Sequence, residues 1–190
     1  MRKALVRRKT KETEVEVSLN LDGRGKASID TTIKFFDHLL SSFAKHGNID
    51  LTVRARGDLS HHIAEDTMIA LGEALEKALG KKAGIERFGD ATVPMDDALV
   101  MVAVDLSGRP YAEIEAGFRK RKVDDLSADM IPHLLQTFAV NGKFNLHVKI
   151  MRGKNDHHKA EAIFKALGVA IRRAAAKIPG RGVPSTKGVI

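Results

Sequence analysis

The chain repeats itself, and that repetition limits what it can fold into more than any other feature. His38-Leu-Leu-Ser-Ser-Phe-Ala, followed by Gly47, Leu51 and Val53, returns as His133-Leu-Leu-Gln-Thr-Phe-Ala, followed by Gly142, Leu146 and Val148, at a constant offset of 95. One residue is then inserted. His61-His62-x-x-Glu65 and Ala70-Leu71-Gly72 recur at an offset of 96 as His157-His158-x-x-Glu161 and Ala166-Leu167-Gly168. Upstream, Leu21-Asp22-Gly23-Arg24 echoes Leu106-Ser107-Gly108-Arg109. Order, spacing and residue type kept together over about sixty positions mean gene duplication, so the fold is expected to be two similar halves.

Each half reads as β-β-α-β-α. Alternating runs, Glu14-Val-Glu-Val-Ser-Leu-Asn-Leu and Ala98-Leu-Val-Met-Val-Ala-Val-Asp-Leu, lead through a Gly-containing turn to a second alternating run, a hairpin signature. Helical periodicity follows at about 33–45 and 128–140, then a strand at 49–55 and 144–150, then a second helix at about 64–79 and 159–177 with apolar residues at i, i+3, i+4 and i+7. The class is α+β, with sheets covered on one face by helices. The expected divisions are residues 1–90 for the first half, 91–178 for the second and 179–190 for an extended, Gly- and Pro-rich tail.

Composition removes several functions. With 43% apolar and 29% charged residues over 190 positions, the chain sits in the ordinary globular range. No run approaches the roughly 18 apolar residues that a membrane span needs, so no membrane partner is expected. The basic segment Met1–Glu12 lacks an apolar stretch, which points to a cytoplasmic location rather than secretion. There is no cysteine, hence no disulfide, thiolate nucleophile or Cys-type zinc site. The net charge of +8 suits either nucleic acid or a small phosphorylated substrate. Aromatics at 5% and the lack of tryptophan speak against single-strand stacking, and no nucleic-acid partner is expected.

Six of the eight histidines occupy three duplicated positions. On a helix, His61 and Glu65 share a face, as do His157 and Glu161, and such a pair can bite one ion. His62 and His158 are turned by about 100° and would serve a different ion. Pseudo-symmetry then proposes two sites, one from His38, His61, Glu65 and His158, the other from His133, His157, Glu161 and His62. Mixed imidazole and carboxylate ligands suit Mn(II), and equally admit Fe, Co or Zn. The order is not His-Glu-x-x-His, which excludes the metalloprotease arrangement. Arg87, Arg109 and the tail Pro184-Ser185-Thr-Lys187-Gly combine cations with tight backbone, the expected tools for a phosphate. Spacing alone therefore gives a di-metal enzyme acting on a phosphorylated substrate, and leaves open a phosphohydrolase or a metal-stabilised nucleic-acid module.

Phe36-Asp37-His38-Leu-Leu, Gly57-Asp58, His61-His62-x-x-Glu65-Asp66, Arg87-Phe88-Gly89, Asp105-Leu-Ser-Gly-Arg109-Pro, Gly153-Lys-Asn-Asp-His157-His158-x-x-Glu161-x-x-Phe-Lys165-Ala and Pro184-Ser-Thr-Lys187-Gly together resemble the imidazoleglycerol-phosphate dehydratase family of histidine biosynthesis. The resemblance covers nearly the whole chain. It implies a duplicated fold of the ribosomal-protein-S5-domain-2 type, two manganese ions per subunit equivalent at subunit interfaces, and a homo-oligomer of 24 subunits built from trimers. It implies a hydro-lyase that dehydrates imidazole glycerol phosphate to imidazole acetol phosphate, the metals holding the ring as imidazolate. Glu12 would contact the substrate and transfer a proton. Lys165, one turn beyond Glu161, would assist, with Glu65 and Glu161 as catalytic carboxylates as well as ligands. Arg87, Arg109, Ser185 and Lys187 would hold the phosphate, and His46 and Asp96 would lie on the substrate side. In one place the sequence departs from the family. Gly57-Asp58-Leu59-Ser60 runs straight into His61, without the further aspartate pair that the resemblance would set behind His61 and His62.

Overall fold

The computed structural model describes residues 1–188 and 190. Its strands come from period-2 patterns. In β2 (Thr13–Asn20), Val15, Val17 and Leu19 are buried and Glu14 and Ser18 exposed; in β6 (Ala98–Asp105), Val100, Val102 and Val104 point inward. β2 lies between β1 (Lys3–Lys9) and β4 (Asp50–Gly57), antiparallel to both, and β3 (Ala27–Asp30) runs parallel to β4 on its far side. The second sheet repeats this plan. β5 (Phe88–Met95), β6, β10 (Asn145–Arg152) and β7 (Tyr111–Glu115) stand in the order β5-β6-β10-β7, with the same strand directions.

Four helices cover one face of the sheets: α1 (Lys34–Gly47), α2 (Ser60–Leu79), α3 (Met130–Gly142) and α4 (Asp156–Ala174). The α+β class and the duplication hold. Each half nevertheless carries one strand more than the expected β-β-α-β-α. β1 had read as a basic N-terminus because it is an edge strand with mostly polar residues; only Val6 is fully buried. The expected hairpin across Gly23 is not one, since β4 inserts between β2 and β3. The second half opens at Phe88, so the expected boundary at 90/91 falls inside β5. It also holds an insertion, a small hairpin of β8 (Lys122–Val123) and β9 (Leu126–Ser127).

The helices pair across the halves, α1 against α4 and α2 against α3. The duplicated glycines explain why. A Cβ on Gly168 would lie 2.4 Å from the Phe43 carbonyl oxygen and 2.9 Å from the Gly47 nitrogen; one on Gly72 would lie 2.8 Å from both the Asn141 Cβ and the Gly142 nitrogen. Only glycine lets these backbones touch. Phe36, Phe43, Phe138, Phe144 and Phe164 fill the core, all under 2% exposed.

Candidate metal centre

Close helix crossing brings the duplicated histidines of one half to the carboxylate of the other. His38, in the second turn of α1, has Nε2 3.1 Å from Glu161 Oε2, and His157 Nε2 lies 3.4 Å from the same oxygen. In the twin cluster, His133 Nε2 on α3 is 3.2 Å from Glu65 Oε1, and His61 Nε2 is 3.5 Å from Glu65 Oε2. The three donor atoms of each triad lie within 4.8 Å of one another, a grouping that could hold one small divalent cation. Both α2 and α4 begin earlier than periodicity indicated, at Ser60 and Asp156, so each His-His-x-x-Glu motif opens its helix.

The pairing corrects the sets expected from pseudo-symmetry. His38 joins His157 and Glu161, not His61 and Glu65; His133 joins His61 and Glu65, not His157 and Glu161. The cause is the packing of α1 on α4 and α3 on α2. Among the described residues, neither His62 nor His158 belongs to a triad. Each ring stands perpendicular to the preceding histidine, at 89° and 6.1 Å between centroids in both halves.

Carboxylates orient these rings. Asp58 sits 2.8 Å from His62 Nδ1, Asp97 2.7 Å from His158 Nδ1 and Asp124 2.6 Å from His157 Nδ1. A carboxylate on Nδ1 leaves the Nε2 lone pair for a metal. The short segment before His61 thus retains a partner for His62 in Asp58, which holds the His62 imidazole above its usual pKa and is itself held low by it. Glu12, exposed in the β1–β2 turn, adds a carboxylate 3.7 Å from His62 Nδ1. Asp97 holds the equivalent place in the β5–β6 turn, 85 residues on, as Arg109 does to Arg24. Asp97 escaped the sequence reading, which singled out its neighbour Asp96; Asp96 Oδ2 lies 3.5 Å from His158 Nε2. The offset of 85, already visible at Arg24 and Arg109, is the signal that leads from Glu12 to Asp97. Asp58 and Asp124 carry no such signal.

Lys165 Nζ bonds Glu161 Oε1 at 2.8 Å. Burial pushes the Glu161 carboxyl up, but Lys165 and His38 together hold it below its ordinary value. His46, further along α1, is lowered by burial and by the charge of Lys165. The cations expected to hold phosphate lie elsewhere. The Arg87 nitrogen bonds the Ala174 carbonyl at the far end of α4, and its guanidinium bonds Asp105 and the Pro184 carbonyl. Ser185 and Lys187 follow in the tail, and Arg109 is exposed beyond β6. From Glu161 to Ala174 is 13 residues of helix, about 20 Å. Arg87 is thus held at the end of α4 away from Glu161.

A family profile described as imidazoleglycerol-phosphate dehydratase matches residues 31–171. The chain belongs to the imidazoleglycerol-phosphate dehydratase family. Relatives of that name from Methanocella arvoryzae and Methanococcoides burtonii are 54% and 52% identical to it over the full length of both chains. The crystal structure of the dehydratase from Pyrococcus furiosus, in complex with (S)-C348, superposes with a TM-score of 0.86 at 39% identity, covering 97% of this chain and 100% of that one. The Staphylococcus aureus dehydratase gives 0.85 at 31% identity, covering 92% and 99%. The family is one of dehydratases, hence hydro-lyases, and the matched span contains both triads.

Proposed function

We propose that the enzyme dehydrates imidazole glycerol phosphate to imidazole acetol phosphate, a step of histidine biosynthesis in the cytoplasm, with Mn(II) in both triads. The observation that carries this reading is the twin His-His-Glu triad. The proton to be lost from the glycerol chain is not acidified by a carbonyl, so a base alone faces a high barrier. Two bound ions would supply the positive charge that holds the substrate ring as imidazolate, able to push out the adjacent hydroxyl. The chain's own groups do the rest. Glu12, exposed beside His62, takes or returns a proton at the glycerol carbons. Lys165, against Glu161, can donate to the departing hydroxyl. Arg87, Arg109, Ser185 and Lys187 hold the phosphate, with His46 and Asp96 on the substrate side.

The roughly 20 Å of α4 between Glu161 and Ala174, where Arg87 is bonded, and the position of His62 and His158 outside both triads, support sites completed by neighbouring copies. Each triad can take a further imidazole, and a neighbour's His62 or His158, held at Nδ1 by Asp58 or Asp97, can turn its Nε2 to one. An assembly of 24 subunits from trimers is the form this takes in the reading.

The test is turnover by chelator-stripped protein with and without Mn(II), measuring acetol product and free phosphate. Mn-dependent acetol product without phosphate release supports the dehydratase. Phosphate release would make the enzyme a phosphohydrolase, and undiminished turnover in His61→Ala with full metal content would overturn the two-metal reading.

A further inference from the structure

The triads share their ligands but not their surroundings. Asp156 and Lys159, each 2% exposed, form an ion pair at 2.9 Å in the first turn of α4. Asp156 Oδ2 also accepts from the Arg119 and Lys120 backbone N–H groups, both at 2.8 Å, and Lys159 Nζ donates to the Gly117 carbonyl at 2.8 Å. This pins the start of an inserted segment to α4. The β8–β9 hairpin then seats Val123 and Leu126 in the core, and its turn presents two aspartates. Asp124, at a positive φ of 52° that aspartate tolerates, reaches His157 Nδ1. Asp125 accepts from the Lys34 and Phe35 N–H groups, at 2.7 and 2.9 Å, and so caps α1, the helix that carries His38.

None of this is repeated at the other triad. α4 is capped by Asn155, whose side chain accepts from the His157 N–H, whereas α2 and α3 both begin without a side-chain cap. Where Lys159 and Lys165 stand in the second half, the first has Ile63 and Ile69. The carboxylate nearest in kind to Asp124 is Asp129, which is turned to the Ser127 hydroxyl instead of an imidazole nitrogen. The Glu161 side chain is 10% exposed and that of Glu65 35%. Lys165 opposes a cation at the first of these, but Asp124 offsets its charge from the other side.

We propose that residues 117–125 are a strap that pre-organises one metal site, so that His38, His157 and Glu161 hold a divalent cation about ten-fold or more tightly than His61, Glu65 and His133. The inference rests on the two-metal reading above. A carboxylate behind a metal-bound histidine is worth about 10- to 100-fold in affinity, and among the described residues only one triad has it, Asp124 on His157. Asp124, Asp125, Asp156 and Lys159 are then positioning residues, acting through His157 and the two helix starts.

The probe is Mn(II) itself, titrated into the chelator-stripped protein with free Mn(II) read from its EPR signal. Two equivalents per chain differing by at least ten-fold are expected. Asp124→Asn should weaken the tight class by 10- to 100-fold and leave the weak one alone. Glu65→Gln should abolish the weak class and spare the tight one. Lys159→Met should act as Asp124→Asn does; Asp124 lies in an exposed turn, so its variant serves if Lys159→Met does not fold. Two equal classes in the wild type, or an Asp124→Asn effect confined to the weak class, would overturn the strap. No Mn(II) binding at all would overturn the two-metal reading with it.

Discussion

The two halves have the same strand order, the same glycine contact between helices and the same triad, yet they are built to different standards around it. Around His61, Glu65 and His133, α2 and α3 start without a side-chain cap, and Ile63 packs where the second half buries Lys159 against Asp156. Duplication explains what is shared, namely ligands and the crossings that unite them. What differs is concentrated in the inserted segment between β7 and α3. A duplicated fold can therefore keep two sites chemically alike while one is held more rigidly than the other. If the halves are equal partners in the chemistry, His38→Ala and His133→Ala should cost the same. Removing a ligand from either ion is expected to lower turnover on the order of 1000-fold, about 4 kcal/mol of barrier. Steady-state rates at saturating Mn(II) measure this, and a loss of under ten-fold in one variant would show that its ion is dispensable.

The next contrast concerns stability. Lys159→Met breaks a fully buried ion pair and leaves Asp156 with only two backbone donors, which should cost about 3 kcal/mol. Ile63→Val, at the equivalent place in the first half, should cost about 1 kcal/mol. Denaturant unfolding of metal-free protein compares them directly; equal effects would mean that the buried pair contributes no more than ordinary packing.

The glycine crossings should instead behave alike. Gly168→Ala and Gly72→Ala each force a methyl into backbone of the partner helix, at 2.4 and 2.8 Å. About 2 kcal/mol is expected for each, or roughly 4–8 °C in Tm, with Gly168→Ala the worse. A silent Gly72→Ala would break the equivalence of the two helix pairs.

Much of this was legible in the sequence because duplication doubles every signal. His38, His61, Glu65 and their copies could be picked out as candidate ligands, and Arg87 and Arg109 as candidate phosphate cations, whereas Glu12 entered through resemblance. Two things were not legible. Which histidine meets which carboxylate depends on helix pairing across the halves, and that is decided by Gly47, Gly72, Gly142 and Gly168, whose contact partners periodicity does not reveal. The strand β1 was hidden because Lys3, Arg7 and Lys9 alternate with few apolar residues on an edge that water covers. Asp124 and Asp125 were hidden for another reason. They lie in the inserted hairpin, which has no copy in the first half to mark them.

The smallest contrast lies at the entrance to β4 and β10. Asp50 Oδ1 accepts from the Arg24 and Lys26 N–H groups, at 2.8 and 3.1 Å, whereas its counterpart Asn145 donates to the Arg109 carbonyl at 2.7 Å. The Arg24 and Lys26 amides hold the Asp50 carboxyl below its ordinary value. A folded pKa below the unfolded one adds stability that is present above about pH 3.9 and is lost as pH falls through the folded value. Asp50→Asn should therefore lower stability slightly at neutral pH, by less than about 1 kcal/mol at so exposed a site, and should flatten the acid limb of a stability–pH profile. Asn145→Asp should do something different. Its new carboxylate would face the Arg109 carbonyl with no donor, so it should destabilise above pH 4 and recover on acidification. Destabilisation that fades on acidification in both variants would establish that the same turn is held by an acceptor in one half and a donor in the other; an Asn145→Asp protein more stable than the wild type above pH 4 would refute it.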